Sequence, residues 1–363
     1  MTARSPKGRR QPHMRKEVTM SLEKSVLNET TILDLLSTHY GISPLSVNKL
    51  KLGTANCFQV YDGKKYYFLK EFQSDISEDE VVREAKLLEF LFETECPTAC
   101  FYKTVHNEFV IKYQNHILCL EEYIEGHTYG YNDLPLDLLP NVGRMLGKLH
   151  QVLKDYPLPI SMSDQWLGSI SADRVIAKYD ELIQIAENKA DADKLPQLMD
   201  DLLYKKQLAV RCEEYKKYYD GITYCSTHGD YQGCQLIWEQ KEIKAVIDFS
   251  AAACLPVTWE IMRSFVQSSN VCRTTATIDV AALCDYVREY MKFSPLTKND
   301  MIAMPYVYLF QLAQSSYGYP QYLLNTDSED REGLLRFAFW RTQMCREVEK
   351  KAEEISEALV KLL

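Results

Sequence analysis

The residues with the clearest chemical meaning lie in Thr227-His228-Gly229-Asp230-Tyr231-Gln232-Gly233-Cys234-Gln235-Leu236-Ile237-Trp238, followed by Ala245-Val246-Ile247-Asp248-Phe249. An Asp leads a polar loop, an amide side chain follows five positions later, and a second Asp ends the next apolar run. Moving a phosphoryl group to a hydroxyl needs these parts. A carboxylate, Asp230, receives the hydroxyl proton, and two oxygen ligands, Gln235 and Asp248, hold Mg²⁺ on nucleotide phosphates. An ordinary loop Asp, a backbone-bonding Gln and a strand-end Asp are the plain alternatives. His228 and His150 read as structural, the first bracing the loop and the second ending its helix.

These groups need elements to position them. Ile32, Leu35 and Leu36 predict a short helix before Gly41. The runs 57–61 and 66–70 flank Asp62-Gly63 and predict a hairpin. Ser77-Glu78-Asp79-Glu80 is a capping box, with Val81, Ala85, Leu88 and Phe92 on one face of the helix behind it. Residues 109–111 and 116–120 read as a second strand pair. After Gly126 the periodicity turns helical, apart from a strand island at 222–249. This predicts a basic tail over 1–20, a β-rich lobe over 21–124 and a mostly helical lobe over 125–363. The tail is read as disordered, or as an over-extended start with Met14 or Met20 as initiator.

Composition limits the function. In 363 residues there are 42 Lys and Arg against 51 Asp and Glu, a net charge of −9. The first 20 residues carry +5, leaving −14 for the rest, which argues against nucleic acid and anionic membranes as partners and tilts slightly toward a cationic ligand. Eleven cysteines, an odd number without zinc-ligand spacing, fit reduced thiols in a cytoplasmic protein. No apolar run reaches membrane-spanning length, and no P-loop, H-E-x-x-H or G-x-S-x-G motif occurs.

The chain resembles the aminoglycoside phosphotransferase and choline kinase-like family. The resemblance rests on His228-Gly229-Asp230, the amide at 235, and Ile247-Asp248-Phe249, with the Asp-to-amide interval that protein kinases also use. It spans about residues 30–350 and implies a bilobal, protein-kinase-like α+β fold. Its other landmarks appear in order. Gly53 and Thr54 match a nucleotide-covering loop, Lys70 the strand lysine on the phosphates, and Glu84 the helix acid that pairs with it. Glu122, Tyr123 and Ile124 match a hinge for the purine of ATP or GTP. Gln235 replaces the usual Asn, Ser250 follows Asp248-Phe249 where another acid or a small residue is common, and Glu260 stands in the place of a structural Asp.

The implied activity is transfer of the γ-phosphate to a hydroxyl of a small molecule: an aminoglycoside or other antibiotic, a choline-like amine, homoserine, thiamine or a sugar. A catalytically silent nucleotide-binding scaffold, such as a spore-coat homologue, is the alternative. No activation segment of the protein-kinase kind follows Asp248. Tyr306, Tyr308, Tyr317, Tyr319 and Tyr322, with Gln311 and Gln314, line either the acceptor pocket or a packed helix pair. Asp327, Glu329, Asp330 and Glu332 form either an amine-recruiting cluster or a solvated helix start.

Overall fold

The computed structural model describes residues 23–50, 55–158, 172–325 and 330–363. The Asp62-Gly63 turn closes a hairpin between β2 (Asn56–Tyr61) and β3 (Tyr66–Glu71), with Gly63 at φ 91° and Tyr61 opposite Tyr66. β1 (Ser46–Leu50), β4 (Val110–Tyr113) and β5 (His116–Glu122) complete an antiparallel five-stranded sheet in the order β1-β2-β3-β5-β4. Alternation gives the sheet two apolar faces. Phe58, Val60, Tyr67, Leu69, Leu118 and Leu120 pack with Ile32 and Leu36 of α1 (Glu29–Tyr40). On the opposite side Val110, Ile117 and Cys119 join the main core with α2 (Glu78–Glu93).

α2 starts at the predicted capping box: Ser77 Oγ accepts from the Glu80 amide and Glu80 Oε2 accepts from the Ser77 amide. Val81, Ala85 and Leu88 are buried as their spacing requires, whereas Phe92 at the frayed end is 56% exposed.

The rest of the chain is mostly helical. α3 (Leu139–Leu153) leads to α4 (Ala172–Lys189) and α5 (Leu195–Arg211). The strand island follows as β6 (Tyr224–Thr227), β7 (Leu236–Glu239) and β8 (Glu242–Val246), and it extends beyond the expected limit to β9 (Ala253–Pro256), which pairs with β6. Then come α6 (Val257–Ser268), α7 (Asn270–Thr275), α8 (Val280–Met291), α9 (Lys298–Gln314), α10 (Tyr319–Leu324) and α11 (Arg331–Val360). All eleven cysteines are free, six of them buried. No helix among the described residues is long and apolar enough to cross a membrane.

One buried carboxylate ties this helical part to the loop that matters most. Glu260 on α6 is fully buried and accepts from the backbone amides of His228 (3.1 Å) and Gly229 (2.5 Å), while His150 Nε2 of α3 lies 2.7 Å away. His150 Nδ1 meets the Tyr290 hydroxyl of α8 at 2.8 Å, so three helices converge on the loop. Burial would raise the Glu260 pKa, but the hydrogen bond and charge of His150 and the Gly229 amide hold it below its ordinary value. Removing the acceptor strands the buried His228 amide, the partly buried Gly229 amide and an imidazole. Glu260→Ala is therefore expected to destabilise the fold by about 3 kcal/mol or more, read as a lowered denaturation midpoint; an unchanged midpoint would show that the clamp is dispensable.

Candidate active site

The loop after β6 follows the local chemistry of its residues. Gly229 has φ 81°, and a Cβ there would lie 2.0 Å from the Ala251 carbonyl oxygen, so only glycine permits the approach. His228 is buried. Its Nε2 donates to the Ile247 carbonyl (2.9 Å) and its Nδ1 accepts from the Asp230 amide (3.2 Å), a tautomer set by the network. The histidine thus links the two segments that carry Asp230 and Asp248. Tyr231, fully buried, anchors the loop through its hydroxyl to the Val142 carbonyl (2.9 Å). A single 3-10 turn, Gly233–Gln235, then turns Gln235 back toward Asp230.

Asp230, Gln235 and Asp248 come together. Gln235 Nε2 lies 3.2 Å from Asp248 Oδ2 and 3.4 Å from Asp230 Oδ2, so one amide bridges two carboxylates. Asp248 sits in the left-handed region (φ 66°, ψ 66°), a conformation that costs a non-glycine residue about 1–2 kcal/mol. Ser250 Oγ donates to its other oxygen at 3.0 Å. Strain of this kind at a side chain held by its neighbours is characteristic of functional positions. Asp248 and the Gln235 side chain carry oxygen donors of the kind Mg²⁺ takes, Gln235 through Oε1 once its amide turns Nε2 away from the carboxylates it now meets. No cluster of three or more His, Cys, Asp or Glu side chains able to hold a metal occurs among the described residues.

Lys70 projects from β3 on the same face as Phe68, its ammonium 5.8 Å from that ring centre. Its ion pair differs from expectation. The partner is Glu121 of β5, at 3.0 Å, rather than Glu84. Strand register is the reason: Lys70 lies opposite Cys119, and Glu121 is the next residue on that face. Glu84 is buried on α2, within the field of Lys70, and accepts from the Phe249 amide. Burial tends to lower the Lys70 pKa, but Glu121 and Glu84 outweigh it and hold the ammonium well above its ordinary value. One lysine cannot neutralise both acids. Burial first, then the charges of Glu121 and Asp248, push the Glu84 carboxyl up to about 7 against the pull of Lys70.

The expected hinge segment ends the β-rich part of the chain. The Glu122 amide is bonded to the Cys100 carbonyl (2.8 Å), so it is not available to a purine. Tyr123 and Ile124 lie beyond β5, and no hydrogen bond among the described residues engages their backbone. His127 exchanges two backbone bonds with Trp238 of β7, which docks this segment beside the Gln235 turn. Gly53 and Thr54 lie outside the described residues, as do Asp327 and Glu329.

On the other side of Asp230 stands a residue that pattern reading missed. Arg263 of α6 forms an ion pair with Asp230 Oδ1 through Nη2. It falls three positions after Glu260, so the helix that clamps the loop backbone also reaches its carboxylate. Only its placement after an acid at helical spacing could have signalled it. The tyrosine run divides. Tyr319 and Tyr322 are packed, their hydroxyls bonded to Asp201 and Thr342 and to Asp191 respectively. Tyr306 stacks on Tyr218 at 4.0 Å. Tyr308 on α9 is also buried, with Arg341 and Arg263 within electrostatic reach.

Comparison with known proteins places this arrangement. Residues 46–291 match the profile of the phosphotransferase enzyme family (APH), and the chain belongs to that family. Spectinomycin phosphotransferase APH(9)-Ia, solved with ADP and spectinomycin, superposes with a TM-score of 0.64 at 15% identity, covering 90% of this chain and 100% of that one. The amicoumacin kinase hAmiN, solved with AMP-PNP, Ca²⁺ and its antibiotic, gives 0.61 at 16% identity over 90% and 94%. Plasmodium vivax ethanolamine kinase gives 0.57 at 14% identity over 92% of both chains. No curated protein matches the sequence. These likenesses establish the bilobal kinase-like α+β fold.

The Glu84 environment makes a prediction. The folded chain holds this proton up to about pH 7, while an unfolded chain releases it near 4.5, so folding binds extra proton in that window and stability falls as pH rises through it. Without nucleotide or divalent cation, wild type is expected to lose up to about 3 kcal/mol more than Glu84→Gln between pH 4.5 and 7.5. Chemical denaturation across that range measures it; parallel pH curves would refute the assignment.

Proposed function

We propose that the protein transfers the γ-phosphate of ATP or GTP to a hydroxyl group of a small molecule, with Mg²⁺. The observation that carries this reading is the Gln235 amide set between the Asp230 and Asp248 carboxylates. In it, residues 21–124 form the nucleotide lobe and 125–363 the catalytic and acceptor lobe. Asp230 orients the acceptor hydroxyl and takes its proton as the new oxygen–phosphorus bond forms and the bond to the β-phosphate bridging oxygen breaks. Asp248 and Gln235 would hold Mg²⁺, which supplies charge neutralisation on the phosphate oxygens.

Lys70, kept charged by Glu121 and Glu84, steadies the α- and β-phosphates. Tyr123 and Ile124 offer backbone groups to the purine, with Glu122 contributing through its position at the end of β5, and Gly53 and Thr54 cover the phosphates. Relatives that phosphorylate antibiotics and an amino alcohol support a small-molecule acceptor in general rather than any one compound.

Asp230→Asn is expected to lower phosphoryl transfer about 10²–10⁴-fold while Mg-ATP affinity stays within a few fold. An equally active variant would remove Asp230 from the chemistry. Were the wild type to bind nucleotide yet match Asp230→Asn in inactivity across a broad hydroxyl panel, the silent-scaffold alternative would stand. Asp248→Asn should weaken nucleotide binding in Mg²⁺ at least tenfold, and change it little in EDTA. Titration calorimetry in the two buffers reads this, and equal affinities would contradict a metal-holding role.

A further inference from the structure

The chain is acidic overall, yet the wall beyond Asp230 is basic. Arg263 uses Nη2 on Asp230, and its Nη1 is buried without a hydrogen-bond partner. Arg273 of α7 is bonded only to neutral amides, Nε to Asn132 Oδ1 (3.3 Å) and Nη1 to Gln267 Oε1 (3.2 Å). Arg341 of α11 donates Nη1 to the Ser315 hydroxyl at 2.8 Å. Among the described residues neither Arg273 nor Arg341 forms an ion pair, although both are partly buried. Tyr317 lies within electrostatic reach of both Arg341 and Asp330, and among the described residues Asp330 forms no ion pair with Arg273 or Arg341.

Two of these guanidiniums share one aromatic cluster. Arg273 and Arg341 lie 5.4 and 5.7 Å from the centre of the same ring, Phe337. Arg273 also lies 4.1 Å from the Trp340 centre and 5.2 Å from Tyr131. Tyr131 feels both Asp230 and Arg273, and Tyr308 feels both Arg341 and Arg263. Arg273 and Arg341 therefore share one aromatic cluster on α11, and through Tyr131 and Tyr308 that cluster lies within electrostatic reach of Asp230 and Arg263.

A guanidinium keeps its charge under any ordinary condition, and taking it partly out of water without a counter-anion is costly. Natural proteins hold arginine in such settings where a carboxylate or phosphate will meet its planar fork. Aromatic faces fix the orientation of that fork and cost it few rotamers. Burial lowers the Arg273 pKa, the direction expected for a cation lacking a counter-charge.

Resting on the phosphotransferase reading above, we infer that the acceptor is an anionic hydroxyl compound, its carboxylate or phosphate group received by Arg273 and Arg341 while its hydroxyl faces Asp230. This reverses the slight preference for a cation that net charge suggested. The acidic groups near the cleft, Glu84, Glu121 and Asp248, sit on the nucleotide side, so global charge does not describe the acceptor side.

The test uses the full chain with Mg-ATP and follows ADP release with matched pairs: glycerate against glyceramide, glycerol 3-phosphate against glycerol, and 4-hydroxyphenylacetate against its amide. Ethanolamine and kanamycin serve as cationic arms. At least one anionic member is expected to be turned over ten times faster than its neutral partner, the pairs telling carboxylate from phosphate. Arg273→Gln and Arg341→Gln should raise the acceptor KM at least tenfold with the KM for Mg-ATP within twofold, and Arg341→Lys should recover part of the loss.

Melting curves confirm that each variant is folded. Preference for a neutral or cationic member overturns the inference, as does an acceptor KM unchanged in both Gln variants. If no compound is turned over, titration of glycerate and glycerol 3-phosphate into the Mg-ADP complex decides. Saturable binding lost in Arg273→Gln supports the inference, and its absence overturns it. A wild type that fails to bind Mg-ATP overturns the phosphotransferase reading itself, whereas Mg-ATP binding without anion preference overturns only the choice of acceptor.

Discussion

Two carboxylates must sit close together here, and a like-charge pair a few Å apart repels by about 3–4 kcal/mol at the effective dielectric of a protein surface. The molecule meets this with the Gln235 amide between Asp230 and Asp248 and with Arg263 on the outer oxygen of Asp230. The surrounding structure serves to keep these groups in register. Glu260 holds the backbone just before Asp230, and His228 ties that backbone to Ile247 just before Asp248. The longer side chain at 235 still spans the gap because a single 3-10 turn brings it back over the loop.

A second charge network stands across the cleft, built on β3, β5 and α2. Lys70 is shared by Glu121 in direct contact and Glu84 at longer range, and the acid left without a close cation holds its proton to about pH 7. The Phe249 amide, donated to Glu84, joins this network to the segment bearing Asp248. A change in charge at one end is thereby felt at the other without any long conformational pathway.

How far these features were legible depends on their sequence separation. The capping box before α2, the Asp62-Gly63 hairpin and the Asp230-to-Gln235 interval are local, and each element formed where its pattern predicted. Phe92 failed because its position is the last turn of α2, where the helix leaves the core. The role of Glu121 has no local sign, since its inward face follows from a register between strands some fifty residues apart. The burial of the tyrosine run has a similar origin: α10 packs against α11, which buries Tyr319 and Tyr322, and Tyr308 on α9 is buried as well.

Residue order alone was enough for the element types, the strands-then-helices plan and the singling out of Asp230, Gln235 and Asp248, because hydrophobic period, turn chemistry and short spacings act within a few residues. It was also enough for family membership. Tertiary packing decided which acid neutralises Lys70, that Arg263 meets Asp230, and that Arg273 and Arg341 gather on one aromatic cluster of an acidic chain. Those outcomes depend on distances between residues far apart in the chain, and Coulomb energy follows separation in space rather than position along the polypeptide.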